Sequence, residues 1–176
     1  MDDDGPEQFK KEGSEDHYNP NKIHRKYKLD EIIYNIITDE KDTAGTYSQI
    51  EMIFPFKEKK EIPLHKHTKE DVTIYVIEGN FLIENGNEKI KGVPYMVIKL
   101  EKNVEHSFKK VGNTRGKLLI FFRLAGFENY FGELDTLITS SNGADLKILD
   151  KEDDYRKKAL HILEKKYGLI FSANVQ

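Results

Sequence analysis

The sequence predicts an all-β fold, in which a small β-barrel is followed by short C-terminal helices. The first observation is a series of about seven short apolar segments in the middle of the chain, each bounded by turn residues. The second is that apolar and polar residues alternate in several of these segments, as they do in half-buried strands. The third is that a helical period appears only after about residue 125. A sandwich or barrel satisfies all three observations, and a closed sheet also removes exposed apolar edges.

Length and composition restrict the class of protein. With 176 residues, of which 38% are hydrophobic, the chain can form one domain with modest extensions. The net charge of -3 offers no basic surface, so we expect no nucleic-acid partner. The chain has no cysteine, and any bound metal must therefore be held by nitrogen and oxygen ligands. No apolar run resembles a signal peptide or could span a membrane, so we expect a cytoplasmic protein without a membrane partner.

Three segments are expected along the chain. Residues 1–22 are charged, polar and poor in aliphatic side chains, which predicts a flexible N-terminal arm. Residues 23–125 contain the predicted strands and form the barrel. Residues 126–176 contain the predicted helices and form a C-terminal extension packed on the barrel.

The first predicted strands precede the barrel's central region. Apolar residues recur irregularly from residue 27 to 37, which suits a short helix or buried strands, and β-branched enrichment favours strands. A turn is expected at residues 42–45. Ile50, Met52 and Phe54 then alternate with neighbours as a half-buried strand that ends at Pro55.

The central strands follow at short, regular spacing. The Asn85-Gly86-Asn87 sequence predicts a hairpin turn with positive φ, and Gly79 and Gly112-Asn113 predict further turns. The predicted strands cover residues 72–77, 81–83, 89–91, 95–100, 106–111 and 117–123.

Two helices are predicted after the strands. The first has an apolar face that can lie against the barrel, formed by Phe127, Tyr130, Phe131 and Leu134. The second is capped by Asp150 with Asp153 in the reciprocal position, and it ends at Gly168. Its apolar stripe is formed by Tyr155, Ala159, Ile162, Leu163 and Tyr167. The following segment, residues 169–171, is expected to dock on a neighbouring strand or on a second subunit.

Three histidines are the candidate metal ligands. His65 and His67 point to the same side of one strand, because side chains alternate with a period of two. His106 begins another strand and can reach the same point if the sheet curls over. Three neutral imidazoles leave a metal with open positions for water and substrate. We therefore predict one divalent metal, without a choice among iron, nickel, manganese, copper and zinc, whose affinity falls below about pH 6.

Residues 62–123 resemble a cupin, a small β-barrel family with two histidine-bearing motifs. In the first motif, HxH is followed by a glutamate and then a glycine, and His65, His67 and Gly79 occupy the matching positions. His106 matches the histidine of the second motif. The segments AGFENYFGEL and EKKYGLIF further resemble the tail of single-domain, quercetin-dioxygenase-like cupins. The resemblance implies a jelly-roll barrel and a metal-dependent dioxygenase.

The chain also departs from the cupin pattern. Val72 occupies the position of the family's glutamate ligand, so the fourth protein ligand is absent or comes from Glu70 or Asp71. We expect both of these to be solvated loop carboxylates, with ligation by one of them as the alternative. Asn103 replaces a motif glycine, and asparagine tolerates positive φ well. Lys110 replaces a motif asparagine.

The residues that face the interior predict either core or pocket lining. They are Met52, Phe54, Val72, Ile74, Val76 and Phe108. Two functions fit this sequence. One is a dioxygenase for a small chelating substrate of the flavonol or dicarbonyl type. The other is a non-catalytic small-molecule sensor or storage protein. A homodimer is expected in both cases.

Overall fold

Short antiparallel strands build most of the protein. The computed structural model describes residues 23–56, 60–139 and 154–172, so the predicted N-terminal arm lies outside the described residues. In chain order the strands are β1 (Arg25–Leu29), β2 (Ile32–Thr38), β3 (Ser48–Phe54), β4 (Glu61–His67), β5 (Asp71–Glu78), β6 (Asn80–Asn85), β7 (Glu88–Gly92), β8 (Val97–Leu100), β9 (His106–Val111), β10 (Gly116–Arg123) and β11 (Leu169–Phe171). Two helices, α1 (Asn129–Thr139) and α2 (Asp154–Tyr167), lie between β10 and β11. The predicted all-β class with C-terminal helices is confirmed.

The strands form two antiparallel sheets. The first sheet has the order β1-β2-β3-β10-β5-β8, and the second has the order β11-β4-β9-β6-β7. Neighbouring strands in these sheets are therefore mostly distant in sequence, as in a jelly roll. The burial pattern alternates along β3, β5 and β10, with every second side chain buried. Buried residues of both sheets belong to one hydrophobic core.

The N-terminal segment is a hairpin of two strands. Leu29 pairs with Ile32, and the two turn residues between them, Asp30 and Glu31, have φ values of 44° and 67°. Such a turn usually contains asparagine or glycine. The prediction of strands rather than a helix in this segment is therefore confirmed. The turn between the two strands has no recognisable sequence signal.

The helices cover one end of the sheets. Tyr130, Phe131 and Leu134 are buried as the helical period predicts. In α2, Leu163 is buried, but Ile162 is 68% exposed, so its place in the predicted apolar stripe is wrong. The cap residues Asp150 and Asp153 and the side chain of Tyr155 lie outside the described residues. In the described part of the chain, neither helix has the length and apolar composition to cross a membrane.

The predicted helix end at Gly168 places β11 beside the histidine strand. Gly168 has a φ of 69°, and a Cβ there would lie 2.5 Å from Thr68 Oγ1. Its carbonyl accepts hydrogen bonds from the backbone N–H of Thr68 at 2.8 Å and from Thr68 Oγ1 at 3.0 Å. The chain then pairs with β4, so that Leu169 is opposite His67 and Phe171 is opposite His65. Of the two expected docking partners, β11 uses the neighbouring strand.

Candidate metal centre

Two adjacent strands bring the three histidines together. His65 and His67 alternate inward on β4, and His106 begins β9 directly opposite His65 in the antiparallel register. The sheet does not need to curl over to join them, contrary to the expectation from their spacing. All three side chains are buried, with exposed fractions of 5%, 3% and 1%.

The geometry of the triad suits a shared ion. One ring nitrogen from each histidine lies within 4.8 Å of the others. The ring centroids are 4.4 Å apart for His65 and His106, 5.3 Å for His65 and His67, and 5.6 Å for His67 and His106. Metal–imidazole bonds are about 2.1 Å long, so small side-chain adjustments suffice for one ion to contact all three.

Backbone carbonyls orient two of the rings. His65 Nδ1 lies 2.7 Å from the carbonyl oxygen of Pro63, and His106 Nδ1 lies 3.0 Å from that of Val104. A carbonyl only accepts hydrogen bonds, so each Nδ1 carries the proton and each Nε2 keeps a free lone pair. This is the tautomer that a metal ligand needs, because the second nitrogen fixes the ring.

The third ring has a carboxylate as its partner. Glu70 Oε2 lies 3.5 Å from His67 Nδ1, and neither atom makes a hydrogen bond among the described residues. Glu70 is only 5% exposed, so the expectation that it is a solvated loop carboxylate is wrong. Its position resembles that of an outer carboxylate that holds a metal-bound histidine.

Burial keeps two of the three histidines, His65 and His106, neutral. Loss of hydration lowers the pKa of His65 to about 3, with further contributions from His106 and His67. Burial likewise lowers the pKa of His106 to about 4. Both imidazoles are therefore ready to donate a lone pair at neutral pH. Proton competition for these two ligands is expected near pH 4, below the value of about 6 predicted from free imidazole.

Asp71, the other candidate for a fourth ligand, and Val72, at the motif position, have different environments. Asp71 Oδ1 accepts a hydrogen bond from the backbone N–H of Lys102 at 3.1 Å. Val72 is 3% exposed and pairs with Phe122, whose ring lies 5.5 Å from that of His67. The position at which the cupin resemblance expects a carboxylate therefore carries a buried apolar side chain, and neighbouring Phe122 packs near His67.

A cavity of about 330 Å³ opens beside the triad. Met52, Val72 and Phe108 line it as predicted. Phe54, Ile74 and Val76 do not line it, and all three are fully buried, so of the two predicted roles they take that of core residues rather than pocket lining.

The C-terminal segment supplies much of the cavity wall. Phe127, Tyr130, Phe131 and Leu134 line it, which the helical period already indicated by placing them against the barrel. Leu160, Glu164, Leu169 and Phe171 also line it, and sequence reasoning did not assign them. For the two residues on α2, the available sequence signal was the spacing of Leu160, Glu164 and Tyr167, which lie on one face of the helix. The charge of Glu164 obscured this face, because an apolar stripe was expected.

The charged residues that line the cavity are all acidic. Asp30 and Glu61 line its outer part, and each contacts a lysine, Lys60 at 3.2 Å and Lys109 at 3.1 Å. Glu164 is the third. Among the described residues, no lysine or arginine lines the cavity. This lining disfavours substrates with several negative charges.

Comparisons with known proteins agree with this architecture. No family model matches the chain, and no curated protein matches it. Among solved structures, KdgF from Halomonas sp. has a TM-score of 0.52 at 16% identity, covering 60% of this chain and 93% of that one. A predicted oxalate decarboxylase from Thermotoga maritima has a TM-score of 0.53 at 16% identity, covering 61% and 97%. Both are cupin structures, and at this identity the likeness shows the fold. The chain therefore has the cupin jelly-roll fold with a triad of buried histidines that could bind a metal ion.

Proposed function

We propose that the protein is a metal-dependent dioxygenase of the quercetinase-like kind, which acts on a small substrate that chelates the metal through a deprotonated oxygen. The observation that carries the proposal is the buried triad of His65, His67 and His106 at the wall of an apolar cavity. Both the donor set and the neutral state of His65 and His106 fit a divalent metal. The identity of that metal is left open by imidazole ligands.

The proposed chemistry divides between the metal and the chain. A bound metal would supply a Lewis acid with open positions and, if redox-active, a site for dioxygen. His65 and His106 would hold it through Nε2, while the carbonyls of Pro63 and Val104 fix their rings. Glu70 would hold His67 in the same way. The apolar walls formed by Phe108 and Phe122 would exclude water from the reacting substrate.

The missing motif carboxylate also influences substrate choice. Three neutral histidines leave the full charge of a divalent ion uncompensated, which favours an enolate or a deprotonated hydroxy-ketone as the fourth ligand. The substrate would then supply the negative oxygen that Val72 cannot. This arrangement retains open coordination positions, which a catalytic site requires.

The second candidate is a non-catalytic small-molecule sensor or storage protein. Val72 is the observation that favours it, since loss of the family's carboxylate ligand can leave metal or ligand binding without turnover. A purified protein that binds metal and substrate but consumes no oxygen would support this alternative.

Oxygen uptake tests the proposal. The protein is loaded separately with iron, nickel or manganese and supplied with flavonols or 1,3-diketones, without a reductant. A dioxygenase transfers both oxygen atoms to the substrate, so we expect one dioxygen consumed per substrate molecule. His106→Ala should abolish both uptake and stoichiometric metal, measured by elemental analysis. The matched control is His161→Ala, because the side chain of His161 is 80% exposed on α2.

Two results would contradict the proposal. Uptake that persists in His106→Ala would exclude the triad as the reaction site. Absence of uptake with every metal and both substrate classes would leave the binding-protein alternative.

A further inference from the structure

A second group of polar side chains lines the cavity apart from the histidines. Tyr34 reaches it from β2, Tyr130 from α1 and Glu164 from α2. Apolar residues form most of the cavity wall around these three side chains. The three polar groups are not needed to hold the metal or to form the core. Phe127 separates this group from the triad, since its ring lies 4.4 Å from His67 and 5.4 Å from Tyr130.

Aromatic packing holds the two phenol rings at the cavity wall. The Tyr34 ring packs on Phe131 at 4.6 Å, and the Tyr130 ring stacks on Phe127. Tyr34 is 7% exposed and Tyr130 is 6% exposed, and both line the cavity. Buried tyrosine hydroxyls are usually hydrogen-bonded. A bound molecule in the cavity could supply a partner.

The three groups affect one another electrostatically. Burial raises the pKa of Tyr130, and the negative charge of Glu164 raises it further. Burial also raises the pKa of Tyr34, with Tyr130 as the next cause. The three side chains therefore line one cavity with neighbouring groups close enough to influence each other, Glu164 acting on Tyr130 and Tyr130 on Tyr34.

Glu164 differs from the other acids that line the cavity. Asp30 and Glu61 each contact a lysine, as described above. Glu164 instead contacts His161, whose Nδ1 lies 4.0 Å from Glu164 Oε2. Burial raises the pKa of Glu164, because its charge is poorly hydrated. A hydrogen-bond donor from a ligand would stabilise this carboxylate.

We propose that Glu164, with the hydroxyls of Tyr34 and Tyr130, forms a subsite that binds a hydroxyl or amine group at the end of the substrate remote from the metal. The substrate is then a molecule with an apolar body, a chelating oxygen pair that includes the deprotonated oxygen at one end, and a hydrogen-bond donor at the other. The inference about the chelating end rests on the proposed function, whereas the subsite itself depends only on the cavity.

Four related compounds separate the two ideas. Flavone and 4′-hydroxyflavone lack the chelating 3-hydroxyl, whereas 3-hydroxyflavone and 3,4′-dihydroxyflavone have it. Dissociation constants are measured by fluorescence titration with the nickel-loaded and the metal-free protein. The subsite predicts that the 4′-hydroxyl tightens binding about tenfold in both pairs, with or without metal. The metal hypothesis separately predicts that the 3-hydroxyl tightens binding only in the nickel-loaded protein.

Substitutions assign the effect to the subsite. Glu164→Gln should reduce the advantage of the 4′-hydroxyl to about twofold, since a neutral amide accepts a weaker hydrogen bond than a carboxylate. Tyr130→Phe, which keeps the aromatic stacking, should reduce the same advantage about threefold. The matched control is Glu133→Gln, which removes a carboxylate of α1 that contacts Lys166 and Tyr167 and does not line the cavity.

Three results would overturn the subsite. The first is an equal affinity of the wild-type protein for each compound and its 4′-hydroxylated partner. The second is an advantage that survives both Glu164→Gln and Tyr130→Phe. The third is an equal loss in Glu133→Gln, which would trace the effect to the packing of the helices. If the 3-hydroxyl has no metal-dependent effect while the 4′-hydroxyl does, the proposed metal chemistry fails and the subsite stands.

Discussion

The same strands build both ends of the jelly-roll interior, but one end contains a cavity and the other is filled by packed side chains. Strand β9 shows the contrast most clearly, since its inward residues are His106, Phe108 and Lys110 in succession. His106 and Phe108 line the cavity, which we call the hollow end. Lys110, two residues further, is fully buried where Phe54 and Phe81 pack at 5.2 Å, which we call the filled end. Strand position alone therefore does not decide whether an inward residue is core or site.

Close packing closes the filled end. A Cβ on Gly116 would lie 2.8 Å from Phe81 Cζ and 3.0 Å from Lys110 Cδ, so the stem of the lysine packs where a larger residue could not fit. The ammonium group donates to the carbonyls of Phe56 at 3.0 Å, Gly112 at 3.1 Å and Thr114 at 2.8 Å. The buried charge is thereby compensated by three acceptors. At the hollow end, the buried histidines instead line a cavity.

The largest expected effect concerns stability at the filled end. Phe54→Ala should lower the free energy of unfolding by about 3–5 kcal/mol, because a close-packed core cannot collapse around the void. Phe108→Ala, the matched change at the hollow end, should cost about half as much, since Phe108 already borders a cavity. Urea denaturation of the metal-free protein measures both. Equal losses would show that the hollow end is packed as tightly as the filled end in solution.

The second expected effect is a loss of stability in mild acid, which only the hollow end should cause. His65 and His106 have pKa values of about 3 and about 4 in the folded protein, against an ordinary value of 6.5. As the pH falls below 6.5, the unfolded chain binds protons that the folded protein cannot, so the free energy of unfolding decreases. Each group contributes about 1.4 kcal/mol per pH unit in this window.

Metal-free protein should therefore lose on the order of 3 kcal/mol between pH 6.5 and pH 5. Urea midpoints across this range measure the loss. Replacing both His65 and His106 by glutamine should flatten the profile, whereas His161→Gln should leave it unchanged. A flat profile in the wild-type protein would mean that the triad hydrates and protonates readily in solution.

The sequence was most informative where strand alternation and motif spacing agreed. The strand from His106 to Val111 has its predicted bounds, and His65, His67 and His106 meet because alternation on β4 and the register with β9 place them together. Asn103 has a φ of 66°, as its place in the motif predicted. These features depend on local geometry and pairwise register, which sequence patterns record directly.

Other features depend on tertiary volume, which the sequence does not record. Alternation showed that Met52 and Phe54 share a face, but only the assembled sheets determine which of them borders a cavity. Ile162 and Glu164 were misjudged or missed because hydrophobicity alone set the predicted face of α2. The expected homodimer stays a prediction, which light scattering of the purified protein can test.

The smallest expected effect reintroduces a carboxylate into the hollow end. Val72 lines the cavity beside Phe122 and occupies the position of the cupin glutamate ligand. Val72→Glu should therefore tighten the binding of Ni²⁺ or Zn²⁺ about tenfold, since a carboxylate adds a charged ligand to three neutral ones. Isothermal titration calorimetry measures the change. Thr73→Glu provides the matched control, because the neighbouring residue on β5 points to the opposite face of the sheet.

The same pair of variants distinguishes a ligand from a general charge effect. If Thr73→Glu tightened metal binding as much as Val72→Glu, the gain would come from the field of the added charge, and Val72 would not lie beside the metal. If neither variant changed the affinity, the metal would bind elsewhere or the cupin motif would be aligned one residue out of register. A gain confined to Val72→Glu would mean that the hollow end retains the geometry of a four-ligand cupin site and lacks only its carboxylate.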